Sequence, residues 1–325
     1  PVQHPAEKEN SDIITTHFDF THSLHDTILK LDELGHDVPT KYKAIERFTN
    51  TSVMDVPMND PAVYALFESP APLGVTPEDI GAPLGTFGLP EFGTNFVMPV
   101  LVESKPKNFA DLLQVSGLTH GTDVWTNNAQ ELLRKGTATI DEVISCRDDI
   151  MNFLIAKGLP NSDAFKIMEI VRKNRVLSEE QLQMMKDHGV PDWYIWSCET
   201  LKYMFPRAHA AAYVMMSIRM AWFKVNYPEA FYAAWFSSKV DNFDAESVWK
   251  GIPEIERRME EIEKLGNTAT AKQKEHLTVY EVIYEMFSRG YEFAEPVLGT
   301  AQACRFSVVD GKVMLPFNAV NGIGD

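Results

Sequence analysis

The sequence predicts a mainly α chain, α+β overall, with short β elements at its two ends. Three observations predict this. Between Asn108 and about Asn226, apolar residues recur at three- and four-residue spacing in one segment after another. IITTHFDF (13–20) and CRFSVVDGKVMLPF (304–317) are instead β-prone, and Asp310-Gly311 in the second is a two-residue hairpin signal. Hydrophobic residues make up 45% of the 325 residues, enough for a core, and 23% charged residues is ordinary for a globular chain. This length suits one large or two ordinary domains.

Taken in order, the first twelve residues are polar and read as a linker or loop. In HSLHDTILKLDELG (22–35), Leu24, Ile28, Leu31 and Leu34 have helical spacing and Gly35 is a natural stop. A helix ending near Lys30 followed by a short strand LKLDEL (29–34) fits equally well. In the first case Asp32 faces water; in the second its neighbours point the other way and Asp32 is directed at a site. NDPAVYALF (59–67) predicts a helix with Asp60 as its N-cap and Pro61 in the first turn. Residues 71–107, rich in Gly and Pro, predict an irregular region of tight turns. Helices then follow over NFADLLQVSG, DVWTNNAQELLRKG, IDEVISCRDDIMNFLIAKG, SDAFKIMEIVRKNR, SEEQLQMMKDHG, PDWYIWSCETLKYMF and FPRAHAAAYVMMSIRMAWFK (205–224). PEIERRMEEIEKLG and LTVYEVIYEMFSRG add two more, with charged faces turned to solvent. No internal repeat or low-complexity tract interrupts the series.

A net charge of −16 and a pI near 5.0 argue, on average, against a nucleic-acid ligand. The distribution of charge argues otherwise. Residues 200–224 carry Lys202, Arg207, Arg219 and Lys224 and no carboxylate, a local charge of +4. Residues 147–224 hold eleven Lys and Arg against nine Asp and Glu, so the rest of the chain carries −18. Cys146, Cys198 and Cys304 are far apart and form no C-x-x-C, which points to neither a disulfide framework nor a zinc site and fits a reducing cytoplasm. No apolar run approaches the roughly twenty residues of a membrane span. The opening PVQHPAEKEN has no signal-peptide layout and no Met, and the chain stops at NGIGD. Both ends read as cuts from something longer.

Four constellations are candidates for chemistry. His17, Asp19, His22, His25, Asp26, Asp32, His36 and Asp37 cluster near the N-terminus, as metal ligands or as caps and surface groups. In SGLTHGTDVWTNNAQ (116–130), Asp123 reads as a helix cap; alternatively, His120 and backbone N–H groups at a helix start face a phosphate. In CRDDIMNFLIAKGL (146–159), Arg147 is either part of an exposed salt-bridging turn or a forked phosphate donor. On a helix beginning after Pro206, Arg207, His209 and Tyr213 share the first two turns, beside the slim Ala210, Ala211 and Ala212. A cation, an imidazole and a flat ring there suit a nucleoside triphosphate and its base. Met216, Met220 and Phe223 read as core, and Lys224 as either a DNA-facing or a solvated charge.

HFDFTHSLHDTILKLDELGHD, GLPEFGTNFV, SGLTHGTDVWTNNAQ, CRDDIMNFLI, YMFPRAHAAAYV and FKVNYPEAFYAA occur in the order seen in one family. They resemble the α subunit of bacterial replicative DNA polymerase III, Gram-positive PolC type, a C-family polymerase. LTVYEVIYEMFSRGYEF and LPFNAVNGIG resemble it too, so the likeness runs through essentially the whole chain. It implies the C-terminal part of a palm at 1–38, helical fingers at 39–300, and at 301–325 a β-hairpin with the start of a helix–hairpin–helix. It implies template-directed nucleotidyl transfer to a primer, DNA primer–template and dNTPs as partners, and a sliding clamp and replisome subunits for the full-length protein. Two Mg²⁺ ions held by three palm carboxylates are implied as cofactors. Asp32 matches the third carboxylate, which favours the strand reading of 29–34. The other two belong to an Asp-x-Asp motif that does not occur here, so this stretch alone is expected not to polymerise.

By the same resemblance, Arg147 and Arg207 lie near the triphosphate or template, and the family usually has Lys in place of Arg207. His209 and Tyr213 share that motif, Tyr203 stacks against the nascent pair, and His120 lines the same cleft. Lys202 and Arg219, from the acid-free stretch, complete the nucleotide- and DNA-binding set. A basic residue is expected near Met98, where this chain has Met98-Pro99, which weakens a phosphate role for that loop. Two readings from other classes stand beside this one: a His/Asp metal-dependent phosphohydrolase and a non-catalytic helical interaction module.

Overall fold

A computed structural model describes residues 2–5, 11–24, 27–29, 31, 35–320 and 322–323, which divide into two units, Pro1–Asp37 and Val38–Asp325. In the first, β1 (Val2–Gln3) pairs antiparallel with β2 (Thr15–Thr16), so the expected N-terminal linker supplies a strand. Phe20–Leu24 forms one π-type turn. The helix read over 22–35 goes no further among the described residues, and Leu29 and Leu31 belong to neither helix nor strand. Asp32 lies outside the described residues, as do His25, Asp26, Lys30, Glu33 and Leu34.

The second unit is helical, and its helices start where side chains take up free N–H groups. After α1 (Val38–Thr49), α2 (Pro61–Ala65) begins on Asp60, whose carboxylate accepts from Ala62 N at 2.9 Å. A Thr76–Asp79 capping box opens α3 (Pro77–Ile80). The stretch 71–107, expected to be an irregular region of tight turns, holds α3 and then gives α4 (Val97–Ser104), in which Met98 is buried. Asn108 caps α5 (Phe109–His120). The single helix expected from Asp123 is broken, because Asn127 takes a left-handed φ of 60°; only α6 (Gln130–Arg134) is regular. There follow α7 (Arg147–Ala156), α8 (Asn161–Arg172), α9 (Glu179–Asp187) and α10 (Asp192–Thr200). Two of these are shorter than read: α7 starts at Arg147 and not at Ile140, and residues 201–205 leave the helix as an extended segment.

The opening Pro206 precedes the long α11 (Arg207–Asn226), which is followed at once by α12 (Pro228–Ser237). Phe231, Tyr232, Ala233 and Phe236 of α12 are fully buried, because α12 packs against α1, α11 and the C-terminal sheet. Its sequence is apolar on every side, as a central helix requires. Then come α13 (Ala245–Lys250), α14 (Ile252–Glu263) and α15 (Ala271–Ser288), the last two packed as a pair. The predicted hairpin forms between β4 (Ser307–Val309) and β5 (Lys312–Met314). Asp310 and Gly311 supply the two positive φ values, 50° and 74°, that the tight turn needs. Between α15 and the hairpin lies β3 (Phe293–Ala294), which adds to β5 in parallel and gives the order β3-β5-β4. The chain is thus mainly α with small β elements at both ends.

Lys224, read as a DNA-facing or solvated charge, is neither. It is completely buried, and its Nζ donates to Gly85 O at 2.9 Å, Phe87 O at 2.6 Å and Glu285 Oε2 at 2.8 Å. Tyr232 donates to the other Glu285 oxygen at 2.8 Å, and Arg289 Nη1 to the Tyr232 hydroxyl at 2.9 Å. Burial pulls the Lys224 pKa down to about 8, against the opposing pull of the Glu285 carboxylate.

Candidate functional site

The extended segment 201–206 ties three parts of the chain together. Thr122 and Tyr203 form an antiparallel bridge, with Thr122 N donating to Tyr203 O at 3.0 Å and Lys202 N to Thr122 O at 3.2 Å. Two residues on, Arg147 N donates to Phe205 O at 3.1 Å. One short segment therefore positions the end of α5, the start of α7 and the start of α11. Glycines allow the approach. A Cβ on Gly121 would lie 2.6 Å from Tyr203 O, and one on Gly117 would lie 2.7 Å from Cys146 Sγ and 2.8 Å from Ser145 O.

Side chains from these elements form a row of rings. His120 lies 5.4 Å from Phe205, Phe205 is 4.5 Å from His209, and His209 is 4.4 Å from Tyr213. His120, Arg147, Tyr203, Arg207, His209 and Tyr213, chosen from separate motifs, thus belong to one neighbourhood, with Lys202 joined through the bridge. Tyr203 is half exposed and Lys202 is exposed, so this side is open. Arg219 is not part of the group. It sits twelve residues along α11, about 18 Å from Arg207 by helical rise, and its guanidinium bears on Tyr42 of α1.

Carboxylates read in the sequence as a helix cap or as neighbours of Arg147 meet other groups. Arg207 Nη1 meets Asp149 Oδ1 at 2.6 Å, and the Arg207 backbone N–H donates to Asp148 Oδ2 at 2.8 Å. Asp149 is itself fixed from behind, its Oδ2 accepting from Ser145 N at 3.0 Å and Cys146 N at 2.8 Å at the start of α7. The two acids beside Arg147 are therefore spent on α11. The Arg147 guanidinium has no ion-pair partner among the described residues. Lys202 Nζ pairs with Asp123 Oδ2 at 2.6 Å, so Asp123 neutralises a lysine and caps no helix.

His120 occupies the last turn of α5, not a helix start as expected. Its Nδ1 faces Ser116 O at 2.6 Å and its Nε2 pairs with Glu91. With acceptors on both ring nitrogens, and Glu91 the larger influence, its pKa is raised and the imidazolium is favoured. Glu91 stands at φ 67° in a segment strapped to α11, where Ser217 donates to Pro90 O and Lys224 grips Gly85 and Phe87. The only hint of this in the sequence is the glycine spacing of GLPEFGT.

Arg207 itself lines a cleft of about 570 Å³, together with Asp111, Asp141, Glu142 and Asp149 and with Phe153 and Tyr194. With one cation against four carboxylates, this cleft repels a phosphate. Near the N-terminus, His22 pairs with Asp19 at 3.1 Å and His36 with Asp37 at 3.4 Å. Among the described residues no three His, Cys, Asp or Glu are grouped to hold a metal ion, and no helix is long and apolar enough to cross a membrane.

The profile of the bacterial DNA polymerase III alpha subunit finger domain matches residues 33–189. The whole chain is 50% identical to the DNA polymerase III PolC-type of Clostridium perfringens, 48% to that of Bacillus subtilis and 47% to that of Thermotoga maritima. It spans 22%, 22% and 24% of the length of these relatives, respectively.

Proposed function

The chain belongs to the PolC type of bacterial DNA polymerase III, and on that premise we propose that residues 116–213 receive the incoming dNTP and the template base beside it. The observation that carries this reading is the bridging of 201–206 to Thr122 and Arg147, which brings together the segments that bear His120, Arg147, Tyr203, Arg207, His209 and Tyr213. In this proposal residues 1–38 are the end of the palm, 39–300 the fingers, and 301–325 the hairpin leading to a helix–hairpin–helix.

Arg207 presents its planar fork to phosphate oxygens, and Asp149 holds that fork in place. Arg147, without a carboxylate of its own, supplies the second cation. The His120 imidazolium, kept charged by Glu91, adds a third, and the Tyr203 and Tyr213 rings offer flat surfaces to a base. Mg²⁺ supplies charge neutralisation to such transfers when bound. The one palm carboxylate assigned here, Asp32, is outside the described residues, and no Asp-x-Asp occurs in the sequence. The 325-residue chain is accordingly expected to bind nucleotide and DNA without extending a primer.

Equilibrium binding of a dNTP to the chain with a primer–template tests the reading. Arg147→Ala and Arg207→Ala should each weaken binding roughly ten- to a hundredfold, the loss of one charge-assisted contact of about 1.5–3 kcal/mol. Unchanged affinity in both variants would sink the assignment.

A further inference from the structure

Far from the ring row, α1, the end of α12 and Arg305 enclose a hollow of about 330 Å³. Its charged lining is Lys43, Arg47 and Arg305, and its other polar groups are Thr40, Ser237 and Ser238. No carboxylate lines it, which is unusual in a chain of net charge −16. Lys43 Nζ pairs with Glu46 Oε2 at 3.1 Å, while Glu46 Oε1 reaches past the C-terminal end of α1 to accept from Val53 N at 3.1 Å. Arg47 and Arg305 are both exposed, and neither has an ion-pair partner among the described residues. The cations come from positions 43, 47 and 305, and the tertiary fold alone brings them together. Packing of α12 on α1 sets one wall. The other is set where Phe306 N donates to Ser237 Oγ at 2.9 Å, which fixes the backbone next to Arg305.

We propose that this hollow is a second phosphate-binding site, one that takes a backbone phosphodiester of a DNA strand through Arg47, Arg305 and Lys43. Two guanidinium forks and an ammonium on a concave surface match a strand phosphate in charge and geometry. The contacts are made to phosphate alone, so they are indifferent to base sequence. The site orients the strand and takes no part in nucleotide choice. The inference rests on the reading above that the chain meets DNA, and it concerns a different surface from the dNTP-facing one.

The test is fluorescence anisotropy of a labelled primer–template with the 325-residue chain over a series of salt concentrations. Arg47→Ala combined with Arg305→Ala should weaken binding at low salt and make the log–log salt slope shallower by about one, for the one phosphate that the hollow neutralises. A control with the same charge loss, Lys264→Ala combined with Lys272→Ala, should leave the slope as in the wild type. Thermal melting checks that both double variants are folded. If wild-type chain binds DNA and the Arg47/Arg305 variant keeps its slope, the hollow is not a strand site and only this inference falls. If the wild type binds no DNA, the functional reading falls with it. A third arm separates strand from free anion. Inorganic pyrophosphate that raises the melting temperature of the wild type but not of the Arg47/Arg305 variant, with an unchanged DNA slope, would make this a free-anion pocket and overturn the strand assignment.

Discussion

Lys224 shows how much one position can differ from its reading in the chain. Charge counting places it with Arg207 and Arg219 on an acid-free strip, yet its ammonium is the buried centre of a network holding Gly85, Phe87 and Glu285. Nothing in linear spacing identifies Glu285, 61 residues away, as its partner. Lys224→Met leaves the Glu285 carboxylate buried without its cation and should cost about 3–5 kcal/mol in urea unfolding. Adding Glu285→Leu should recover part of that loss, a coupling that a double-mutant cycle reads directly. Glu281 poses a related question of pH. Burial raises its pKa to about 7, opposed by the Asn95 amide that donates to it at 3.1 Å. The folded state therefore holds a proton that the unfolded state has released, and stability should fall as pH rises from about 4.5 to about 7. Glu281→Gln removes that term, so its melting temperature should fall less than the wild type's between those pH values. An unaltered pH profile would contradict it.

Helices were legible where a local cap coincides with the start of the apolar pattern. Asp60-Pro61, Ser178 with Gln181 and Asn108 before Phe109 each start a helix in the expected place, because the side chain that ends the turn is local. The misreadings came where tertiary contact overrides periodicity. Asn127 interrupts an apolar pattern because its neighbour Asn128 is drawn into a buried pair with Ser197, at 2.7 Å. Residues 201–205 leave their helical pattern to bridge Thr122 and Arg147. The contact between α5 and the start of α7 depends on Gly117, where a methyl group would run into the Ser145 backbone. Gly117→Ala should cost about 1–3 kcal/mol through overpacking. It should also weaken dNTP binding by displacing Arg147. Loss of stability with full nucleotide affinity would separate that contact from the site.

For the whole molecule, fold class and the ordering of positive charge were readable, and the counter-charges were not. Glu91, Asp123, Asp148 and Asp149 reach the cations only through folding, so counts along the chain make the strip look barer than it is. The division into units is equally a matter of packing. Among the described residues, every buried side chain lies at Val38 or beyond. A chain of residues 38–325 should therefore unfold in one transition with the same midpoint as the 325-residue chain; a drop of many degrees would show that 1–37 carries part of the core.

The grip of Lys224 also sets an order of events during synthesis. Gly85 and Phe87 leave the ribosome long before Lys224, which follows 139 residues after Gly85, and Glu285 comes 61 residues later still. Until then the ammonium has carbonyls but no counter-charge, and α11 is a helix whose centre of packing is still wet. The nascent chain must hold Lys224 without its counter-charge while α12 to α14 are made, and it locks late. Truncated chains released from the ribosome and ending at residue 270 should accordingly be cut by protease within α11, and those ending beyond 290 should resist.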